Sequence, residues 1–109
     1  MSQVDGVVQH SVDEVKTMLE KGDVKVIDVR TEEEYASGHI PGVPLMPMQL
    51  VEEWKTKLNP TDAYVFVCRS GGRSQNVAAF LKQQGFSNVG NCVGGMMSWH
   101  GETKSGMEP

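Results

Sequence analysis

The chain has 109 residues, 39% of them hydrophobic and 22% charged, and ten basic against fourteen acidic side chains leave a formal net charge of -4. That length suits one compact domain with a single small core and leaves no room for a second, and the composition excludes a disordered or fibrous chain. No basic patch is gathered anywhere, so a nucleic-acid partner is not expected, and no apolar stretch approaches the length of a membrane span.

The opening "MSQVDGVVQH" lacks a basic region followed by an apolar one, so no secretory leader is expected and the cytoplasm is the expected location. Cys68 and Cys92 are the only cysteines. Their spacing suits neither a disulfide framework nor a zinc site, and both are expected as reduced thiols, with no metal and no cofactor.

Residues 1–6 read as a loose end, followed by a short edge strand in "GVVQH". Ser11 and Glu14 stand at the spacing of a capping box, and Val12, Val15 and Leu19 recur at helical intervals up to a stop at Gly22, which predicts the first helix. "VKVID" at 24–28 is a β-branched strand. Thr31 with Glu34 repeats the capping signature for a short helix whose "EEE" start suits the helix dipole. "GHIPG" at 38–42 is a turn, and "VPLMPM" offers only a short strand because Pro44 and Pro47 remove ladder donors. Leu50, Val51, Trp54 and Leu58 predict a third helix over 48–58. "YVFV" at 64–67 is apolar at every position, the pattern of a central parallel strand covered on both faces. From Ser74, the residues Val77, Phe80 and Leu81 trace a helix that Gly85 closes, with Phe86 packed against the cap. "SNVGNCV" gives a last strand, Gly94 and Gly95 a sharp turn, "MMSWH" a short final helix, and residues 101–109 a loose tail. Strands alternating with helices predict a single small α/β domain with a mostly parallel sheet.

Ligands of such sheets gather beyond the carboxyl ends of the strands. That is where this reading puts Cys68, the pair Asp28 and Arg30, and the two glycines 94 and 95. The loop "RSGGR", residues 69–73, must join the strand to the helix that begins near Ser74. Curled round the sulfur, the amides of Arg69, Ser70, Gly71, Gly72, Arg73 and Ser74 form an anion cradle, to which the first helical turn adds unpaired N–H groups. Gly71 and Gly72 suit the curled backbone and the close approach of a substrate, while Arg69 and Arg73 bring positive charge. Such a field lowers a thiol from its free pKa of about 8.5. A thiolate within an anion cradle is a nucleophile matched to anionic electrophiles, either sulfur donors such as thiosulfate or phosphate esters. Loop size separates them: cysteine, four residues, arginine is the smaller ring, suited to a single persulfide sulfur.

"CRSGGRS" at 68–74 resembles the active-site loop of single-domain rhodaneses, the small sulfurtransferases. "DVR" at 28–30 with Glu33 and "GHIPG" at 38–42 resembles the family's first motif, and "GG" at 94–95 with Trp99 its closing one. The resemblance implies a parallel sheet of about five strands between helices. It also implies that Cys68 takes sulfane sulfur from a donor such as thiosulfate, a persulfide or a polysulfide and passes it to cyanide, a thiol or a protein acceptor. In that role the loop amides stabilise thiolate and persulfide, Arg73 anchors the loop or the donor, Arg69 meets the donor, and Asp28 with Arg30 forms an ion-pair frame at the rim. The family also includes phosphatase relatives with a loop one residue longer and members without the cysteine that only bind partners.

His39 reads as a residue that pins its turn rather than as a base, since a thiolate held by backbone needs none. His10 and His100 are isolated. Cys92 is a candidate resolving thiol for Cys68, although a cysteine between Asn91 and Val93 is more often simply buried. Met46, Met48, Met96 and Met97 read as an apolar wall beside the site or, more often for such residues, as gap fillers in a thin core. Neither a heptad nor an apolar patch in the sequence sets an oligomeric state.

Overall fold

The structure, a computed structural model, describes residues 3–108. Five strands, β1 (Gln3–Val4), β2 (Val7–His10), β3 (Lys25–Asp28), β4 (Ala63–Val67) and β5 (Asn88–Cys92), form one sheet in the order β1-β2-β5-β4-β3. β1 pairs antiparallel with β2, and every other pairing is parallel. β4 lies inside the sheet, as its unbroken apolar run predicts. Its side chains alternate: Tyr64 and Phe66 pack with Val77, Ala78 and Leu81 on one face, while Val65 and Val67 pack with Val15, Ile40 and Val43 on the other. Phe66 is wholly buried, which contributes about 1.5–3 kcal/mol through the hydrophobic effect alone.

Helices α1 (Val12–Lys21) and α2 (Glu32–Ser37) both begin on complete capping boxes, Ser11 with Glu14 and Thr31 with Glu34. Each box satisfies two end-of-helix donors reciprocally. Helix α4 (Gly72–Gln83) covers the sheet beside β4 and closes as expected, with the Phe86 amide donating to Leu81 O at 3.0 Å and the Phe86 ring buried.

Four expectations change. Residues 3–6 are not loose, because Asp5 and Gly6, both at positive φ, make the tight turn of a hairpin between β1 and β2; residues 1 and 2 lie outside the described residues. The stretch 43–48 contributes one parallel bridge, Leu45 to Asp28, rather than a strand, for the reason its prolines give. The predicted helix over 48–58 is broken into a 3-10 turn at Met48–Leu50, a single α-turn α3 (Val51–Trp54) and a second 3-10 turn at Lys55–Lys57. In so short a segment packing prevails over propensity: Val51, Trp54 and Leu58 reach the core, whereas Leu50 is left 47% exposed.

The tail, fourth, is tied down. His39 and Lys104 exchange backbone hydrogen bonds of 2.9 and 2.8 Å, and the Gly106 amide donates to Ala36 O. The buried ring of His39 stacks on Tyr35 and is held through Nδ1 by Tyr35 O and through Nε2 by Glu108, 2.7 Å away. A buried imidazole needs a partner at each nitrogen, and the tail supplies the second, so residues 104–108 do not behave as a free end. Pro109 lies outside the described residues. No helix among the described residues is long and apolar enough to cross a membrane.

Candidate active site

Cys68 follows the last residue of β4, and the chain turns at once into α4. Gly71, at φ 101°, makes that turn and caps the helix. As a result the loop wraps the sulfur: the Gly71 amide donates to Cys68 Sγ at 3.1 Å and the Ser74 amide at 3.4 Å. Ser74 Oγ stands 3.3 Å from the same sulfur and 2.6 Å from Asn91 Oδ1. Burial pushes the Cys68 thiol up. The Ser74 hydroxyl and the amides of Ser74, Gly71 and Ser70 oppose that push, and the net direction is below the ordinary thiol value. Of the loop amides, those of Gly71, Ser74 and Ser70 face the sulfur.

The ring is held from outside by the short helix α5 (Gly95–Ser98). The amides of Met96 and Met97 donate to Cys68 O and Arg69 O, each at 2.9 Å. Those bonds engage the Cys68 and Arg69 carbonyls with α5, while the amides of Ser70 and Gly71 that follow face the sulfur. Gly95 permits the approach: a Cβ there would lie 2.3 Å from Cys68 O, at a φ of 54°. Asp28 and Arg30 form the expected frame. Arg30 donates from Nε and Nη2 to the Asp28 carboxylate at 2.8–3.1 Å and from Nη2 to Gly38 O at 2.8 Å, with Asp28 wholly buried.

Arg73 does not turn into the ring. Its guanidinium makes a two-pronged bond to Glu34 of α2, at 2.7 and 2.8 Å, and so locks α2 to the first turn of α4 while its charge still acts on Cys68. The Arg73 bond holds the Glu34 carboxyl at about 2, well below its ordinary 4.5. The folded value lies below the unfolded one, so the pair's stabilisation is complete above about pH 4.5 and is lost as pH falls toward 2. These side chains are 30% and 29% exposed, and after solvent screening the pair is worth about 1 kcal/mol. Urea unfolding of wild type and Glu34→Gln is therefore expected to show a stability gap near neutral pH that closes through this acid range; a gap independent of pH contradicts the assignment.

A shallow hollow of about 310 Å³ is lined by Arg69 of the loop together with Arg30, Glu34, Ser37, Met96 and Met97. A larger hollow of about 400 Å³ lies along β3, among Leu19, Val26, Pro44 and Tyr64. None of the residues 68–74 lines it, whereas Arg69 lines the smaller one.

Residues 11–102 match the rhodanese-like domain family. The chain belongs to that family. YtwF of Bacillus subtilis is 49% identical over 79 residues, which cover 72% of this chain and 76% of that protein. A sulfurtransferase of Allochromatium vinosum is 40% identical over 77 residues, 71% of this chain and 72% of that one. The crystal structure of a rhodanese-like domain protein from Staphylococcus aureus superposes with a TM-score of 0.83 at 33% identity, over 92% of this chain and 99% of that chain. In class, this rhodanese is a sulfurtransferase-like protein.

Within the rhodanese sheet the two cysteines part company. Cys68 packs with the core layer under α4, whereas Cys92, wholly buried, packs with the layer under α1. Burial pushes the Cys92 thiol up to about 11. His39 belongs to the tail clasp, and His100 pairs with Asp13 on the surface. Among the described residues no cluster of His, Cys, Asp and Glu is arranged to hold a metal. Met46 and Met48 fill the core as expected, but Met96 and Met97 wall the opening. Sequence reasoning missed Asn91, although its place two residues after Val89 on β5 points it to the α4 face, and it missed the tie between Glu34 and Arg73, which no local spacing announces.

Proposed function

We propose that this rhodanese moves sulfane sulfur from an anionic donor to a thiophilic acceptor through a persulfide on Cys68. The observation that carries the reading is the sulfur within a ring of backbone donors, with the next residue, Arg69, lining a hollow that Arg30 also lines. With thiosulfate, the Cys68 thiolate attacks the outer sulfur, the new S–S bond forms, and the bond to the sulfonate sulfur breaks so that sulfite leaves with the electron pair. The Cys68 persulfide then carries its charge on the terminal sulfur, within reach of the loop amides, which need no reorganisation to meet it. Cyanide, a thiol or a protein acceptor attacks that terminal sulfur and returns the thiolate. Arg69 is free to meet the donor's oxygens, while Arg30 presents one edge of a guanidinium already neutralised by Asp28.

A phosphatase reading is disfavoured on a specific point: Arg73, the residue that would grip a phosphate, is engaged with Glu34. Thiocyanate production from thiosulfate and cyanide, run beside p-nitrophenyl phosphate hydrolysis, tests both. Thiocyanate formation that vanishes in Cys68→Ser, with no phosphate release, is the expected pattern. Phosphate release that depends on Cys68 without thiocyanate would replace the reading with the phosphatase one, and neither product, with partner binding unaffected by Cys68→Ser, would replace it with a binding module.

A further inference from the structure

Behind the sulfur runs a line of side-chain hydrogen bonds that the transfer reaction does not use. Ser74 Oγ, 3.3 Å from Cys68 Sγ, is 2.6 Å from Asn91 Oδ1. Asn91 Nδ2 donates to Gln9 Oε1 at 3.0 Å. Gln9 Nε2 donates both to Val7 O at 3.0 Å and to Gln75 Oε1 at 2.7 Å, and Gln75 Nε2 donates to Val4 O at 3.0 Å. The line therefore begins at two main-chain carbonyls of the N-terminal hairpin and ends at the thiol.

Its direction is fixed. Val7 O and Val4 O only accept, so each glutamine must present its amide nitrogen to the hairpin, and turning either amide would set oxygen against oxygen. Gln9 then offers Oε1 to Asn91, Asn91 must offer Nδ2 in return, and Oδ1 is left facing Ser74. Two oxygens 2.6 Å apart need a proton between them. A carbonyl has none, so the single hydroxyl proton of Ser74 points to Asn91 and a lone pair of Oγ faces the sulfur. A protonated Cys68 donates S–H into that lone pair. An ionised Cys68 must either face it or take the proton and strand Asn91 Oδ1, in a residue 4% exposed, without a donor.

We propose that Gln9, Gln75 and Asn91 act as positioning residues, an amide line of one direction that keeps the Ser74 proton away from Cys68 Sγ and so restrains ionisation of the thiol. The functional consequence rests on the sulfur-carrier reading above. In the persulfide, Sγ is uncharged and the negative charge sits on the terminal sulfur, so the conflict at Ser74 disappears. The line thus disfavours the empty thiolate relative to the loaded site. The Ser74 hydroxyl lowers the thiol only if its proton faces the sulfur; with that proton held by Asn91, the amides of Ser74, Gly71 and Ser70 alone remain to lower it. The charged and titratable groups around the sulfur are Arg69 and Arg73 of the loop and α4, Glu34 of α2 bound to Arg73, the Asp28–Arg30 pair at the end of β3, and the Cys92 thiol of β5. None belongs to the amide line, so substitutions in the line leave all of them in place.

The test is a pH titration of the Cys68 thiolate by its ultraviolet absorbance, with Cys68→Ser as blank; it requires no donor and no turnover. Gln9→Met frees Asn91 to turn, and Asn91→Leu removes the acceptor, so each releases the Ser74 proton to the sulfur. Either is expected to raise the thiolate fraction about tenfold below the midpoint, the worth of one hydrogen bond to a charged group. Ser74→Ala alone is expected to cause no loss of thiolate, and combined with Gln9→Met to abolish the gain. If folded Gln9→Met or Asn91→Leu stays within about twofold of wild type, or if Ser74→Ala lowers the thiolate fraction about tenfold, the hydroxyl already serves the thiolate and the inference is overturned. A wild type that accepts no sulfur while these shifts appear would sink the sulfur-carrier reading and leave the amide line standing; normal sulfur loading without the shifts would do the reverse.

Discussion

Gly95→Ala is expected to destabilise the fold and cut sulfur transfer together. Its new Cβ would stand 2.3 Å from Cys68 O and 2.7 Å from Arg69 O, both main-chain atoms, at a left-handed φ of 54°. The left-handed conformation costs an alanine about 1–2 kcal/mol, and relieving the overlap about 1–3 kcal/mol more. The overlap can be relieved only by moving α5 off the loop or by rotating the peptides at 68 and 69. Either movement releases the bonds from Met96 and Met97 that aim the loop, and the amides lose their aim at Sγ. Loss of one such donor costs about 10²–10³ in rate, so turnover is expected to fall by that factor, with the Tm down by more than about 10 °C. Gly72→Ala is the contrast in the same loop. A Cβ there meets nothing within 4 Å, in a helix that favours alanine by up to about 1 kcal/mol, so thermal stability is expected to hold or rise. Equal behaviour of the two variants in thermal unfolding and steady-state rate would contradict the role given to Gly95.

The second large effect concerns the frame. Arg30→Met removes every side-chain donor that the Asp28 carboxylate receives from Arg30 and leaves the charge in a site with 0% exposure. Breaking one half of a buried pair costs about 3–5 kcal/mol, whereas replacing both halves with apolar groups is often neutral. Arg30→Met is therefore expected to lose most of that range in urea unfolding, and Asp28→Leu with Arg30→Met to recover much of it. Two losses that simply add would show that the pair is not a unit. Because Arg30 also holds Gly38 O, its loss loosens the turn beneath the opening, and a rise in KM for the donor is expected to accompany the loss of stability.

What the sequence disclosed and what it withheld divide by distance along the chain. The capping boxes at Ser11 and Thr31, the apolar run of β4 and the glycine at 71 are local signals, each set by spacing or backbone freedom, and each has the structural consequence expected, whereas Gly72 sits in the first turn of α4 and needs no glycine freedom. The curled loop round Cys68 follows from those signals alone. Arg73 found its partner in Glu34, 39 residues away, and the sequence shows Glu34 only as a cap; the same carboxylate does both tasks, accepting from Thr31 N and from Arg73. The order of the tail is not legible in the sequence, because nothing near residues 104–108 tells that His39 is buried and that Glu108 supplies its second partner. The exposure of Leu50 is not legible either, because helical spacing marks a face without saying whether the segment is long enough to present it.

The central claim, that Cys68 carries sulfur, is tested most directly by the intact mass of reduced protein after exposure to thiosulfate and a later chase with cyanide. Wild type is expected to gain the mass of one sulfur atom and to lose it to cyanide as thiocyanate appears, while Cys68→Ser gains nothing and Cys92→Ser behaves as wild type. Sulfur that loads equally on Cys68→Ser, or a wild type that takes up none from thiosulfate, a persulfide or a polysulfide, would contradict it.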